Sequence, residues 1–226
     1  MYKSIKGFTL AEILITLLII GVISSIVIPA VINDTNESEY NAGVKKVFAD
    51  LSNALRMIQV NNGGIVNIGT STSSSSLLRS DFCSVMTCVK QDSTRDIWEP
   101  ANYKFYKGTY TGWPDNSTNA AAILNNGYFI HFGAYADCDH YGDMHACGYI
   151  WVDINGKKGP NMSGKDYHFF WIVRQNGNSS YSLIPAGAQN DLYTSQLPGG
   201  CVAGSSGWSS SRGCTAKRLM DPDHMP

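Results

Sequence analysis

The chain is most constrained by residues 7–32, which read GFTLAEILITLLIIGVISSIVIPAVI. From Phe8 to Ile32 the run holds no Lys, Arg or Asp, and Glu12 is its one acid. At a rise of about 1.5 Å per residue a helix of this length reaches roughly 37 Å, enough to cross a hydrocarbon core of about 30 Å. The apolar stretch of a secretory signal peptide runs only about 7–15 residues, so this run is too long for one. A plain transmembrane anchor accounts for length and apolarity but leaves Glu12 unexplained. A carboxylate in lipid is unfavourable and needs a compensating partner.

Gly7-Phe8-Thr9-Leu10-Ala11-Glu12 behind a short basic leader resembles the processing site of prepilins, the precursors of type IV pilins and type II secretion pseudopilins. The resemblance covers about the first 55 residues. It implies that a membrane-embedded aspartic peptidase cuts between Gly7 and Phe8 and N-methylates Phe8. It makes Phe8, Glu12 and Pro29 the residues of assembly, with Glu12 fifth in the mature chain and Pro29 where many relatives carry a helix-loosening proline. The physical reading agrees. The cut creates an ammonium on Phe8 near a lone acid, and each is costly in lipid unless paired. Glu12 of one subunit can meet the Phe8 amine of the next, so pairing rewards assembly.

The 226 residues are 43% hydrophobic and 15% charged, which fits one globular head behind one apolar segment. Lys3 and Lys6 are the only charges ahead of the span, so the positive-inside rule keeps the leader cytoplasmic and sends the head outward. Loss of both with the leader takes the 17 basic side chains to 15 against 18 acidic, and no basic tract points to dedicated nucleic-acid binding. The six cysteines, Cys83, Cys88, Cys138, Cys147, Cys201 and Cys214, fall into three close pairs, as expected for disulfides in an oxidising compartment. Fifteen connectivities are open, and the three local ones are favoured.

Four parts follow: leader 1–7, transmembrane and assembly helix 8–32, amphipathic continuation 33–62, and head 63–226. From Tyr40 apolar residues recur at Val44, Val47, Phe48, Leu51, Leu55 and Ile58, one stripe on one helical face. This predicts a helix over about 8–59 with Pro29 inside it as a kink or local melt, and with Asn61-Asn62-Gly63-Gly64 ending it. Residues 33–36, Asn-Asp-Thr-Asn, mark either a new cap or a loosened turn. Residues 69–76 are nearly all Ser, Thr and Gly and read as a polar loop, and residues 77–126 as a long irregular connection rich in aromatics. Strand signals lie at 128–132, 149–154, 169–174 and 181–184, with a hairpin turn at 175–178. The expected class is α+β: a long N-terminal helix packed against an antiparallel sheet, a pilin-like arrangement.

Two constellations carry candidate chemistry. Residues 153–166 gather Asp153, Asn155, Asn161 and Asp166 among turn glycines. Ca²⁺ takes 6–8 oxygens of this kind, although the spacing is not that of an EF-hand and the same residue types favour tight turns. The stretch also resembles a D-x-N-G-x-x-G-P-N-x-x-G-x-D segment of some pilin-like proteins. Residues 138–147 hold two Cys and two His that zinc accepts, but an oxidising compartment favours a Cys138–Cys147 disulfide with His140 and His145 solvated. No nucleophile elbow, H-E-x-x-H or phosphate-cradling loop is present, so no enzymatic site is nominated.

The resemblance implies a structural subunit, not an enzyme, held in the inner membrane with its head outside and then polymerised with its own kind. Its partners would be the prepilin peptidase, the assembly platform and ATPase, and further copies. The rival expectation is a minor pilin or tip adhesin whose head binds a surface, a secreted protein or DNA.

Overall fold

The computed structural model describes residues 7–64, 66, 74–92, 103, 120–135, 138, 145–156, 158–174, 180–188, 201, 204 and 213–225. The leader, including Lys3 and Lys6, and the turn at 175–178 lie outside them. The chain divides into two compact units, Met1–Glu39 and Tyr40–Pro226.

The first helix, α1, runs Leu10–Asn61 and continues through Pro29. No new helix begins at residues 33–36. Thr35 donates its hydroxyl to the Val31 carbonyl (2.8 Å), a bond made inside the helix in place of a cap. The helix ends where glycine permits positive φ: Gly63 and Gly64 sit at φ 66° and 95°. The Gly64 amide returns to the Gln59 carbonyl (2.6 Å).

Within the second unit a six-stranded antiparallel meander runs in chain order: β1 (Cys88–Asp92), β2 (Ala120–Leu124), β3 (Phe129–Ala134), β4 (Ala146–Asp153), β5 (Tyr167–Arg174) and β6 (Tyr181–Pro185). Val44, Val47, Leu51, Leu55 and Ile58 of α1 are buried in one core with Ile130, Phe132, Ile150, Val152, Phe170 and Ile172 of the sheet. Fully burying a side chain of this size contributes about 1.5–3 kcal/mol. Phe48 stacks on Phe170 with ring centroids 5.9 Å apart. Gln59 closes the junction, its amide accepting from the Tyr181 amide (2.7 Å) and donating to the Tyr181 carbonyl (3.0 Å). This is the α+β, pilin-like arrangement expected from the sequence.

Four elements differ from expectation. Residues 74–76 are not loop: they open a helix, α2 (Ser74–Val85), inside the stretch read as polar linker and irregular connection. Leu78 and Phe82, one turn apart, are buried, and Phe82 packs on Phe132 at 5.3 Å. Ser75, also buried, accepts from the Ala134 amide (3.2 Å). The same connection contributes β1 and β2. The tail after residue 185 holds a further helix, α3 (Cys214–Met220), outside the expected elements.

The sheet buries both faces, not one. Opposite α1, Trp151, Tyr167, Phe169 and Trp171 pack with Ala121 and Tyr103. Alternation along β4 and β5 sends these aromatics to one side and Ile150, Val152, Phe170 and Ile172 to the other. Disulfides join Cys83 to Cys88, Cys138 to Cys147 and Cys201 to Cys214.

Candidate functional site

Thr9 precedes the first helical residue of α1, and Glu12 is its third. The Thr9 amide and hydroxyl both donate to Glu12 Oε2 (2.7 and 2.8 Å), and the Glu12 amide donates back to Thr9 Oγ1 (3.3 Å). This is a capping box, in which two helix-end donors are satisfied reciprocally. The carboxylate also lies at the positive end of the helix dipole. Glu12 therefore has compensation inside its own chain, a role the sequence reading did not assign although T-x-x-E was visible. Both bonds fall on Oε2. Oε1 accepts no hydrogen bond among the described residues.

Around and beyond this cap the large apolar side chains are exposed, Phe8 at 86% and Leu10 at 79% among them. Thr16 and Ser25 return their hydroxyls to the carbonyls of Ile13 and Val22 (2.8 and 2.7 Å), which satisfies those groups without water. By length and composition α1 holds a stretch able to cross a membrane, none of it buried within the chain.

In the second unit β4 delivers Asp153 to the rim of the aromatic face, opposite Tyr167 of β5. Positive φ at Gly156 (66°), Asn161 (50°) and Gly164 (79°) folds residues 154–166 back on themselves. Asp153 Oδ1 accepts from the Asn155 amide (3.1 Å), and Oδ2 accepts from the Tyr103 hydroxyl (3.1 Å). Asp166 Oδ2 and Oδ1 accept from the amides of Asn161 (2.8 Å) and Met162 (2.7 Å). Both carboxyl groups are wholly buried. Burial, and then the charge of Asp166, pushes the Asp153 carboxyl up to about 8. Burial likewise raises Asp166, against the pull of the Met162 and Asn161 amides.

The two asparagines touch the same pair. Asn155 also donates through its side chain, to Asp166 and at 3.4 Å to the Gly159 carbonyl. Yet the carbonyl oxygens Oδ1 of Asn155 and of Asn161 are buried and accept no hydrogen bond among the described residues. The four residues singled out in the sequence are thus brought together. Tyr103, fifty residues away from Asp153 and with its ring centroid 4.3 Å from that of Tyr167, is a fifth that no local pattern marks.

Buried Arg218 of α3 anchors the segment, donating from Nε to the Gly164 carbonyl (2.7 Å) and from one terminal nitrogen to Asn41 Oδ1 (2.8 Å). His168 lies fully buried with Nε2 3.0 Å from the Lys165 carbonyl, and burial, with the Arg218 charge adding to it, lowers its imidazole to about 3.

The zinc alternative loses its thiols to the Cys138–Cys147 bond, and His140 lies outside the described residues. Among the described residues no group of three His, Cys, Asp or Glu is placed to hold a metal. A cation at residues 153–166 would rest on amide oxygens as much as on carboxylates.

Residues 2–28 match the family model described as the prokaryotic N-terminal methylation motif, the prepilin-type motif of type IV pilins and pseudopilins. No curated protein and no solved structure matches the chain.

Proposed function

We propose that the chain is a structural subunit of a type IV pilus or a type II secretion pseudopilus. It is made as a prepilin, cut between Gly7 and Phe8, methylated on Phe8 and polymerised through its N-terminal helix. Before assembly it crosses the inner membrane once with its head outside, and it serves as building material and not as a catalyst. Its partners are the prepilin peptidase, the inner-membrane assembly platform and further pilin-like subunits. The observation that carries this reading is the methylation motif lying on an exposed apolar stretch, residues 8–32, whose only acid is Glu12.

The capping box supplies a mechanism. In the precursor, residue 8 contributes an ordinary amide and Glu12 is held by Thr9 through Oε2. After the cut, the new Phe8 ammonium of a neighbouring subunit has Oε1 to meet. Glu12→Leu removes a charge that lipid disfavours, so synthesis, cleavage and membrane residence persist while the amine is orphaned during packing. The expected outcome is fibres missing or short in cells expressing only this variant. Abundant fibres of normal length would contradict the mechanism. Subunit counts in purified fibres separate a major subunit, which dominates, from a rare minor pilin or tip adhesin.

A further inference from the structure

We infer that Gln59 of α1 stands in for a further strand on the β6 edge of the sheet and so keeps two heads from joining edge to edge. In the meander β6 is an outer strand, with β5 on one side of it and no strand among the described residues on the other. The Ala186 amide donates to the Phe169 carbonyl (3.0 Å), which sets the alternation along the pair. Ser182 and Ile184 then face Val173 and Trp171 of β5, while Tyr181, Leu183 and Pro185 turn their backbone groups outward. A row of outward N–H and C=O groups is a template for a strand of another chain.

Two of these three outward positions are closed from within the chain. The Tyr181 N–H donates to Gln59 Oε1 (2.7 Å) and its C=O accepts from Gln59 Nε2 (3.0 Å), the same two-bond exchange that a residue of a paired strand makes. A second bond from Nε2, to the Leu55 carbonyl (3.2 Å), fixes which way the amide faces. Pro185 has no N–H to offer, and its C=O accepts from the Ala188 amide (3.1 Å). That leaves Leu183, which borders a groove of about 360 Å³ between β6 and Phe48, Ser52 and Arg56 of α1. The groove gives an incoming strand room, so what excludes one is the loss of pairing sites on either side of Leu183 and not a steric wall. The opposite edge is blunted by other means: β1 bulges at Val89 and presents Lys90 to solvent. The inference goes beyond the subunit reading, since it concerns the self-association that the head excludes.

The test uses the full chain in detergent at one copy per micelle, as Gln59→Ala and as Gln59→Met, which keeps side-chain length and packing but carries no amide. In dilute solution the Tyr181 amide should exchange hydrogen about tenfold faster than in wild type, as expected for one lost hydrogen bond. Raising the protein concentration should drive both variants into pairs, seen by sedimentation, with a dissociation constant lower than that of wild type by about tenfold or more. The Tyr181 and Leu183 amides should regain protection as the pairs form. A purely structural role for Gln59 gives faster exchange with no dependence on concentration. Ser182→Lys added to Gln59→Met sets a charge on the edge and should restore single copies. Variants as monomeric as wild type would overturn the inference, and Gln59→Met keeps that outcome decisive if Gln59→Ala does not fold. So would pairs that leave Tyr181 and Leu183 unprotected, or pairs that persist with Ser182→Lys. None of these outcomes bears on the reading of the N-terminal helix.

Discussion

The metal-free chain should lose stability as pH rises through neutrality, and Asp153→Asn should reduce that loss. The Asp153 carboxyl, ordinarily near 3.8, is pushed up to about 8 by burial and by Asp166. Above pH 4 the unfolded chain has released this proton and the fold retains it, so stability falls with rising pH until the folded group also ionises. His168 acts with the opposite sign: neutral in the fold down to about pH 3, it is charged in the unfolded chain below 6.5, so its contribution is lost as pH falls. Between pH 4 and 6.5 one proton held by Asp153 in the fold balances one held by His168 in the unfolded chain, and the two slopes cancel. From pH 6.5 to 8 Asp153 acts alone of the two, and integrating its titration gives a loss of about 1.5 kcal/mol, or about 3–6 °C in melting temperature. Asn at 153 keeps an oxygen for the Asn155 amide and offers its own amide to the Tyr103 hydroxyl. The assay is a set of thermal melts in EDTA from pH 4 to 8. Relative to Asp153→Asn, wild type should lose stability progressively as pH rises from 4 to 8, the raised Asp166 and the lowered His168 being present in both proteins. Parallel curves for the two proteins would refute the reasoning.

Phe82→Ala deletes a buried ring from the α2–β3 contact and should cost about 3–5 kcal/mol, read by denaturant unfolding of the full chain in detergent. A cost below about 1 kcal/mol would mean that α2 is not docked as described. Thr9→Val removes two of the three capping bonds and leaves the Thr9 amide on Glu12, so the amides of the first turn of α1 should exchange hydrogen faster in micelles while those near Val44 are unchanged. Because Glu12 is then held less tightly within its own chain, fibres should still form, in contrast to Glu12→Leu.

What could be read from the sequence depended on how local the signal was. The stripe from Val44 to Ile58 and strands β3 to β6 carry their periodicity and their β-branched and aromatic residues within a few positions. The element β2, Ala-Ala-Ala-Ile-Leu, does not: alanine is a poor strand former, and three consecutive buried alanines become a strand because small side chains fit beneath the packed layers. The helix α2 was hidden by its serines, which read as linker until Ser75 is seen bonded to β3. At the N-terminus, T-x-x-E spells out its cap locally, but Glu12 draws attention as a charge before it does as a capping residue. The loop oxygens were legible as a set, yet their burial depends on Tyr103 across fifty residues, and no short window records that.

The central claim is that this chain is a processed building block, and the most direct test is the mass of its N-terminus in assembled material. Fibres sheared from cells of the native host with an active prepilin peptidase should yield a chain that begins at Phe8, one methyl group heavier than the bare residue, with the Met1–Gly7 leader gone. Assembled chains that still begin at Met1, or a cell-surface fraction in which the chain is absent from every fibre, would contradict the account.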